Sequence, residues 1–152
     1  MKSTTTYHPL QNLARNLSRI YRLGEVIKTD IFPEVPYDIL HVLRQLKDCG
    51  PRTIPQLAQY HYVSRQQMRN TILSLIAQGY VELAENQAHK TSKLVVLTDS
   101  GRSLVDTLNT RGQAIAATLE HDYDLEEVDK ANALVTRFHN DLERYWVVNK
   151  SG

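Results

Sequence analysis

The stretch from Thr53 to Val81, TIPQLAQYHYVSRQQMRNTILSLIAQGYV, contains two helix starts of the same kind. Thr53 is followed three residues later by Gln56, and Ser64 is followed three residues later by Gln67. Each pair predicts a capping box, in which the two side chains bind backbone N–H groups that the first helical turn leaves without partners. The eleven residues from one start to the next leave room for a short helix and a turn. The stretch therefore predicts a helix-turn-helix.

The segments after this motif change from helical to strand-like spacing. Gly79 suits the left-handed conformation that ends many helices, so the second helix is predicted to stop there. Tyr80, Val81 and Leu83 predict one short strand, and the apolar run 94–97 predicts another. The loop 84–93 between them is polar and contains no large apolar residue. Two strands directly after a helix-turn-helix predict a wing.

Apolar residues on both sides of this unit recur at helical spacing. Steps of three and four from Leu10 to Ile31 predict one long helix, and Pro36 suits the start of a second helix that runs to about Asp48. After the wing, two further helices are predicted through Leu119 and Tyr145. The apolar stripe that these positions form on the first helix is typical of two helices that pack together from different subunits. Packing within one subunit is an equal alternative. The expected organisation is a single domain, 1–152, with a winged lobe at 37–98 and terminal helices at 7–32 and 99–148.

The composition is that of an ordinary globular domain. The chain has 152 residues, a formal net charge of +1 and one cysteine, so an internal disulfide is excluded. No apolar run is longer than the four residues of 94–97, which is too short to cross a bilayer, and a cytoplasmic protein without membrane contact is expected. The sequence contains no CxxC or HExxH spacing, phosphate loop or evident nucleophile and base pair. We therefore expect neither a metal, a cofactor nor catalytic residues, and hence no enzyme.

The near-neutral total charge conceals a segregation along the chain. From Cys49 through Val81 there is no Asp or Glu, whereas three arginines are present. Residues 120–129 hold six acids and no Lys or Arg. This asymmetry favours a middle segment that approaches a polyanion and a later segment that stays away from it. Chance clustering of surface charge is the alternative interpretation.

The predicted order of elements resembles the MarR (multiple antibiotic resistance regulator) family of transcription factors over nearly the whole chain. The run 94–101, LVVLTDSG, is similar to the family's second wing strand continuing into "LTxxG" at the next helix. The run 64–81 is similar to the family's recognition helix and first wing strand. The resemblance implies a mainly α fold with a small β-hairpin wing. It also implies that the terminal helices form a homodimer, which presents two recognition helices to a pseudo-palindromic operator in double-stranded DNA.

The candidate DNA-binding residues come mainly from the second helix of the motif. Arg65, Gln66, Arg69 and Asn70 lie near its amino end and opposite its apolar side, where arginine can bind guanine and the amides can bind adenine. Arg52, at the entry to the first helix, suits a phosphate contact. The remaining candidates are the cap residue Ser64 and the wing lysines Lys90 and Lys93. The wing departs from the family because His89, Lys90 and Thr91 stand where it usually carries an Asp and paired arginines, and lysine lacks the planar fork of arginine.

The resemblance also implies a small effector. In the family, aromatic or phenolic anions often bind between the dimer helices and the DNA-binding lobe. Tyr21, Arg22, Tyr37 and His41 are candidates to line such a pocket, and core or interface positions are the alternative for them. The resulting hypothesis is a repressor that a small ligand releases from its operator. The rival hypothesis is a winged helix used for protein association, in which Arg65 and Arg69 meet an acidic partner.

Overall fold

A computed structural model describes residues 8–31, 37–88 and 91–150, with the side chains of 28–31, 37–38 and 148–150 excepted. The chain divides into two compact units, Met1–Asp106 and Thr107–Gly152. The elements, in chain order, are α1 Pro9–Ile31, α2 Tyr37–Cys49, β1 Arg52–Thr53, α3 Ile54–Tyr60, α4 Arg65–Ala77, β2 Val81–Ala84, β3 Leu94–Leu97, α5 Asp99–Leu119, a 3₁₀ turn Glu120–Asp122 and α6 Leu125–Lys150. None of the helices in the described ranges is long and apolar enough to span a membrane.

The first unit is a winged helix, so the predicted fold class, mainly α with a small β wing, is confirmed. Its sheet has the order β1-β3-β2, and both pairings are antiparallel. In the wing hairpin, Val81 lies opposite Leu97 and Ala84 lies opposite Leu94. The third strand, β1, was not predicted. It has only two residues, which is too short to produce an alternating pattern in the sequence.

One hydrophobic core holds the helix-turn-helix against the sheet. It receives side chains from α2, α3, α4, both wing strands and the start of α5. The most deeply buried of these are Leu43, Leu57, Ile72, Leu75, Val95 and Val105. Full burial of each such side chain contributes about 1.5–3 kcal/mol relative to exposure, so this core fixes the orientation of α4.

Both predicted capping boxes are present. The Ser64 hydroxyl accepts a hydrogen bond from the Gln67 backbone N–H at 3.1 Å, and the Ser64 N–H donates to the Gln67 side-chain oxygen at 3.0 Å. The Thr53 N–H donates to the Gln56 side-chain oxygen at 2.9 Å. Each box defines the first residue of its helix, which is why α3 and α4 begin where the sequence predicts.

The two helices of the motif also end in the same way. After α4, Gly79 has a φ of 75°, its N–H donates to the Ile76 carbonyl at 2.9 Å, and the Tyr80 N–H donates to the Leu75 carbonyl at 3.0 Å. These two bonds form a Schellman motif, which favours glycine at the left-handed position.

After α3, Tyr62 occupies the equivalent position with a φ of 54°. The Tyr62 N–H donates to the Gln59 carbonyl at 3.2 Å, and the Val63 N–H donates to the Ala58 carbonyl at 3.1 Å. A left-handed conformation costs a side-chain-bearing residue about 1–2 kcal/mol relative to the right-handed one. These two hydrogen bonds hold the turn of the motif in a strained conformation.

The segment LTDSG joins the wing to α5 through one threonine. The Thr98 hydroxyl donates to the Gly79 carbonyl at 2.6 Å and accepts from the Gly101 N–H at 3.1 Å. The Thr98 N–H donates to the Tyr80 carbonyl at 3.1 Å. Gly101 is buried so close to Tyr80 that a Cβ atom there would overlap the Tyr80 carbonyl oxygen. The motif therefore ties the end of α4 to the start of α5, and it requires glycine at its last position.

Gly101→Ala is expected to destabilise the protein because the added methyl group must displace backbone atoms. Overpacking of this kind typically costs about 1–3 kcal/mol. A Cβ atom added at Gly112, also in α5, would meet nothing within 4 Å, so Gly112→Ala is the matched control and should stabilise the helix by about 0.5–1 kcal/mol. Urea unfolding of the two variants measures both values. Equal stability of the two variants would contradict the close approach described above.

Candidate nucleic-acid interface

Helix α4 presents an exposed polar side opposite its buried side. Met68, Ile72 and Leu75 are buried in the core of the first unit. The four residues predicted to contact bases, Arg65, Gln66, Arg69 and Asn70, are all exposed. They lie within the first two turns of α4 and carry donors and acceptors suited to base edges in the major groove. The structure thus places these four predicted residues together on one accessible helix end.

Two of these residues are already paired with each other. The Gln66 side-chain Nε2 donates to the Asn70 Oδ1 at 3.0 Å, which joins successive turns of α4. The pair leaves the Gln66 oxygen and the Asn70 nitrogen available to bind a base. A hydrogen bond between two neighbouring amides limits their rotation, so the two side chains act as one preorganised group.

The other predicted contacts lie around α4. Ser64 is its N-cap, and its side chain is used by the capping box. Arg52 lies in β1, where its Nη1 donates to the Pro51 carbonyl at 2.9 Å. Lys93 is exposed directly before β3. Lys90, with its neighbour His89, lies outside the described residues.

A cavity of about 450 Å³ lies within the first unit, next to α4. Its walls come from α1, α2, the turn of the motif and α4. The lining residues are Tyr21, His41, Val42, His61, Val63, Gln67, Met68, Asn70 and Thr71. None of these residues is acidic, and their mixture of apolar and hydrogen-bonding groups suits a small aromatic molecule.

Two of the four predicted effector residues belong to this cavity. Tyr21 and His41 line it, from α1 and α2 respectively. Arg22 is exposed on α1 and does not line it, and the side chain of Tyr37 lies outside the described residues. The contributions of the turn and of α4 to this cavity were not predicted from the sequence. From the sequence alone, polar residues in the turn and in α4 indicate contact with solvent or DNA. Their place beside a cavity becomes visible only when α1 and α2 are seen to form its other side.

His61 lies in the turn and lines this cavity. Its Nε2 lies 2.8 Å from the side-chain oxygen of Gln45, which is buried in α2. Since an amide oxygen only accepts, Nε2 carries the hydrogen and Nδ1 is the atom that binds the next proton. Burial lowers the pKa of His61 below its ordinary value of 6.5. The folded turn therefore favours the neutral imidazole.

The free energy of unfolding is expected to fall as the pH drops below about 6.5, because the unfolded chain binds a proton at His61 more readily than the folded chain does. His61→Gln keeps a donor for Gln45 and removes the titration, so it should flatten this part of the pH profile. His121→Gln, at an exposed position in the second unit, is the control. Urea unfolding from about pH 7.5 to about pH 5 measures the effect. A wild-type profile that His61→Gln leaves unchanged would refute this origin.

Solved structures with the same architecture were found by comparison of the whole chain. A regulator from Neisseria meningitidis superposes with a TM-score of 0.71 at 17% identity, covering 94% of this chain and 99% of the other. It is a MarR family regulator. The fold of this chain is the MarR fold.

Two further structures with the MarR-like architecture extend the comparison. FabT of Streptococcus pneumoniae, solved in complex with DNA, has a TM-score of 0.72 at 17% identity and covers 88% of this chain and 97% of its own. BpsR of Bordetella bronchiseptica has a TM-score of 0.70 at 20% identity, with coverage of 88% and 97%. The DNA binding of BpsR is regulated by 6-hydroxynicotinic acid. FabT and BpsR thus bind DNA, and the protein from Neisseria meningitidis is a MarR family regulator.

The relatives found by sequence match a shorter part of this chain. Uncharacterized proteins of Mycobacterium bovis and Mycobacterium tuberculosis are 33% identical to this chain over 85 residues. The match spans 56% of this chain and just over half, 56%, of the length of each relative. No protein-family model matches the sequence.

Proposed function

We propose that this chain is a homodimeric, sequence-specific DNA-binding regulator of transcription in the MarR family, and that it acts as a repressor relieved by a small ligand. The observation that carries the proposal is the exposed amino-terminal half of α4, where Arg65, Gln66, Arg69 and Asn70 stand on a helix fixed by a buried core. Phosphate contacts from Arg52 and from the wing lysines Lys90 and Lys93 complete the proposed interface.

Charge supports this assignment. The helix-turn-helix carries arginines and no Asp or Glu between Cys49 and Val81. No carboxylate in this segment therefore repels a phosphate backbone. The acids of residues 120–129 belong to the second unit. The same arginines would also suit an acidic protein partner, and the salt dependence of duplex binding separates the two hypotheses.

The proposed homodimer is supported by exposed apolar residues on the terminal helices. On α1, Ile20, Leu23 and Val26 are exposed, and on α6, Leu142, Tyr145 and Trp146 are exposed. Exposed apolar side chains in such numbers are typical of a surface that another protein covers. A dimer is also what specificity requires, because one recognition helix contacts only a few base pairs.

Arg69→Ala is expected to weaken binding to a duplex selected from a randomised pool by about 1–3 kcal/mol per recognition helix, because it removes a bidentate contact to a base. Helical content, measured by circular dichroism, should not change. The wild-type affinity should fall linearly with salt on a log-log plot, with a slope of about −0.9 for each phosphate contacted. Titration at high duplex concentration should give two chains for each site.

Arg137→Ala, an exposed arginine on α6, is the matched control and should bind the duplex as the wild type does. If the wild-type chain binds no duplex at low salt, DNA binding is refuted and the protein-association hypothesis is favoured. If one chain occupies each site, the homodimer is refuted and DNA binding stands.

The proposed effector is a small aromatic or phenolic anion that occupies the 450 Å³ cavity next to α4. The volume lies in the range of small-molecule sites in proteins, about 300–1,000 Å³. Tyr21, His41 and His61 supply hydrogen-bonding groups, and no carboxylate lines the cavity to repel an anion. The regulation of BpsR by 6-hydroxynicotinic acid supports an effector of this class.

Addition of 6-hydroxynicotinate or salicylate is expected to weaken wild-type binding to the selected duplex. His41→Trp fills part of the cavity from the α2 side, so this variant should bind the duplex normally and lose the response. His121→Trp, the same substitution at an exposed position in the 3₁₀ turn before α6, should keep the response. Fluorescence anisotropy of a labelled duplex measures all three proteins. An unchanged response in His41→Trp would place the effector elsewhere.

A further inference from the structure

One exposed residue of α4 does not fit a polar surface. Leu73 is 54% exposed, although it stands on the same helix as three buried core residues. It follows Arg69 by four positions and Asn70 by three, so it lies on the same side of α4 as they do, one turn further on. The core of the first unit is complete without it, because Met68, Ile72 and Leu75 fill that role.

Gln66, Arg69, Asn70 and Leu73 form one stripe with the spacing i, i+3, i+4 and i+7. The four side chains are exposed, and the hydrogen bond from Gln66 to Asn70 shows that successive members of the stripe meet. A stripe of this spacing is the set of positions through which the homeodomain recognition helix contacts bases in the major groove. Leu73 is the apolar member of the stripe.

The length of the stripe matches the repeat of a duplex. Seven residues of helix rise by about 10.5 Å, which is about the height of three base-pair steps. A helix that places Gln66 on one base therefore brings Leu73 to the groove edge about three base pairs away. The thymine 5-methyl group is the apolar feature of that edge, and it distinguishes thymine from every other base.

We propose that Leu73 is a specificity-determining residue that packs on the 5-methyl group of one thymine in each half-site. This inference rests on the proposed DNA-binding function and adds to it a base preference outside the polar contacts. A guanidinium or an amide selects a base by hydrogen bonds. Leu73 selects thymine because the contact removes its own side chain and the thymine 5-methyl group from water. Cytosine carries only a hydrogen in place of this methyl group, so Leu73 gains less apolar contact from it.

The test replaces thymine by deoxyuridine, which removes only the methyl group and keeps every hydrogen-bonding group of the base pair. Each thymine of a duplex selected by the wild-type chain is replaced in turn, together with its symmetry mate. We expect one such paired replacement to weaken wild-type binding by about three- to fivefold for each methyl group removed, or about ten- to twenty-fivefold for the two half-sites together. The same replacement should not affect Leu73→Ala, whose affinity for the unmodified duplex should already be lower by a similar factor.

Leu73→Met keeps an apolar side chain and is the matched control, in which the dependence on the methyl group should persist. Alanine and methionine both favour helices, so neither variant should disturb α4. Sequence-selective binding in which the wild type and Leu73→Ala respond equally to every replacement, or in which neither responds, overturns this inference and leaves the proposed function intact. Failure of the wild-type chain to select any duplex overturns both.

Discussion

The buried core holds one side of α4, and one connection at its carboxyl end ties that helix to α5. There the Thr98 hydroxyl donates to the Gly79 carbonyl, accepts from the Gly101 N–H, and so joins the end of one helix to the first turn of another. Gly79 must adopt a positive φ to expose that carbonyl, and Gly101 must lack a side chain to let α5 approach. Gly79, Thr98 and Gly101 therefore act together with the core to hold the carboxyl end of α4.

The amino end of α4 is fixed by a different balance of forces. The Ser64 capping box stabilises the first turn, and the strained conformation of Tyr62 acts against it in the preceding turn. A cap of this kind contributes about 1 kcal/mol, which is comparable to the cost of one residue in the left-handed region. The bond from His61 to Gln45 and the burial of Leu57 then decide that the turn stays closed. This end of the motif is thus more easily disturbed than the Gly79 end.

Much of the fold could be predicted because its signals are local. Ser64 and Gln67 specify a helix start by themselves, and the apolar run 94–97 specifies a strand. The strand β1 and the turn at Tyr62 could not be predicted, since two residues have no periodicity and tyrosine gives no turn signal. The exposed stripe on α4 follows from helical spacing alone. The cavity does not, because its walls come from four segments that only tertiary packing brings together.

Asn70 connects the two proposed activities of α4. It lines the cavity, and it holds the Gln66 side chain on the exposed face through one hydrogen bond. An effector shifts DNA affinity only to the extent that it binds the DNA-competent and incompetent states differently. A tenfold loss of affinity requires a difference of about 1.4 kcal/mol, which is about the net contribution of one hydrogen bond in a protein. Under the proposed regulation, an occupant that attracts the Asn70 amide into the cavity would release Gln66 and lower the affinity for DNA without a large movement of the helices.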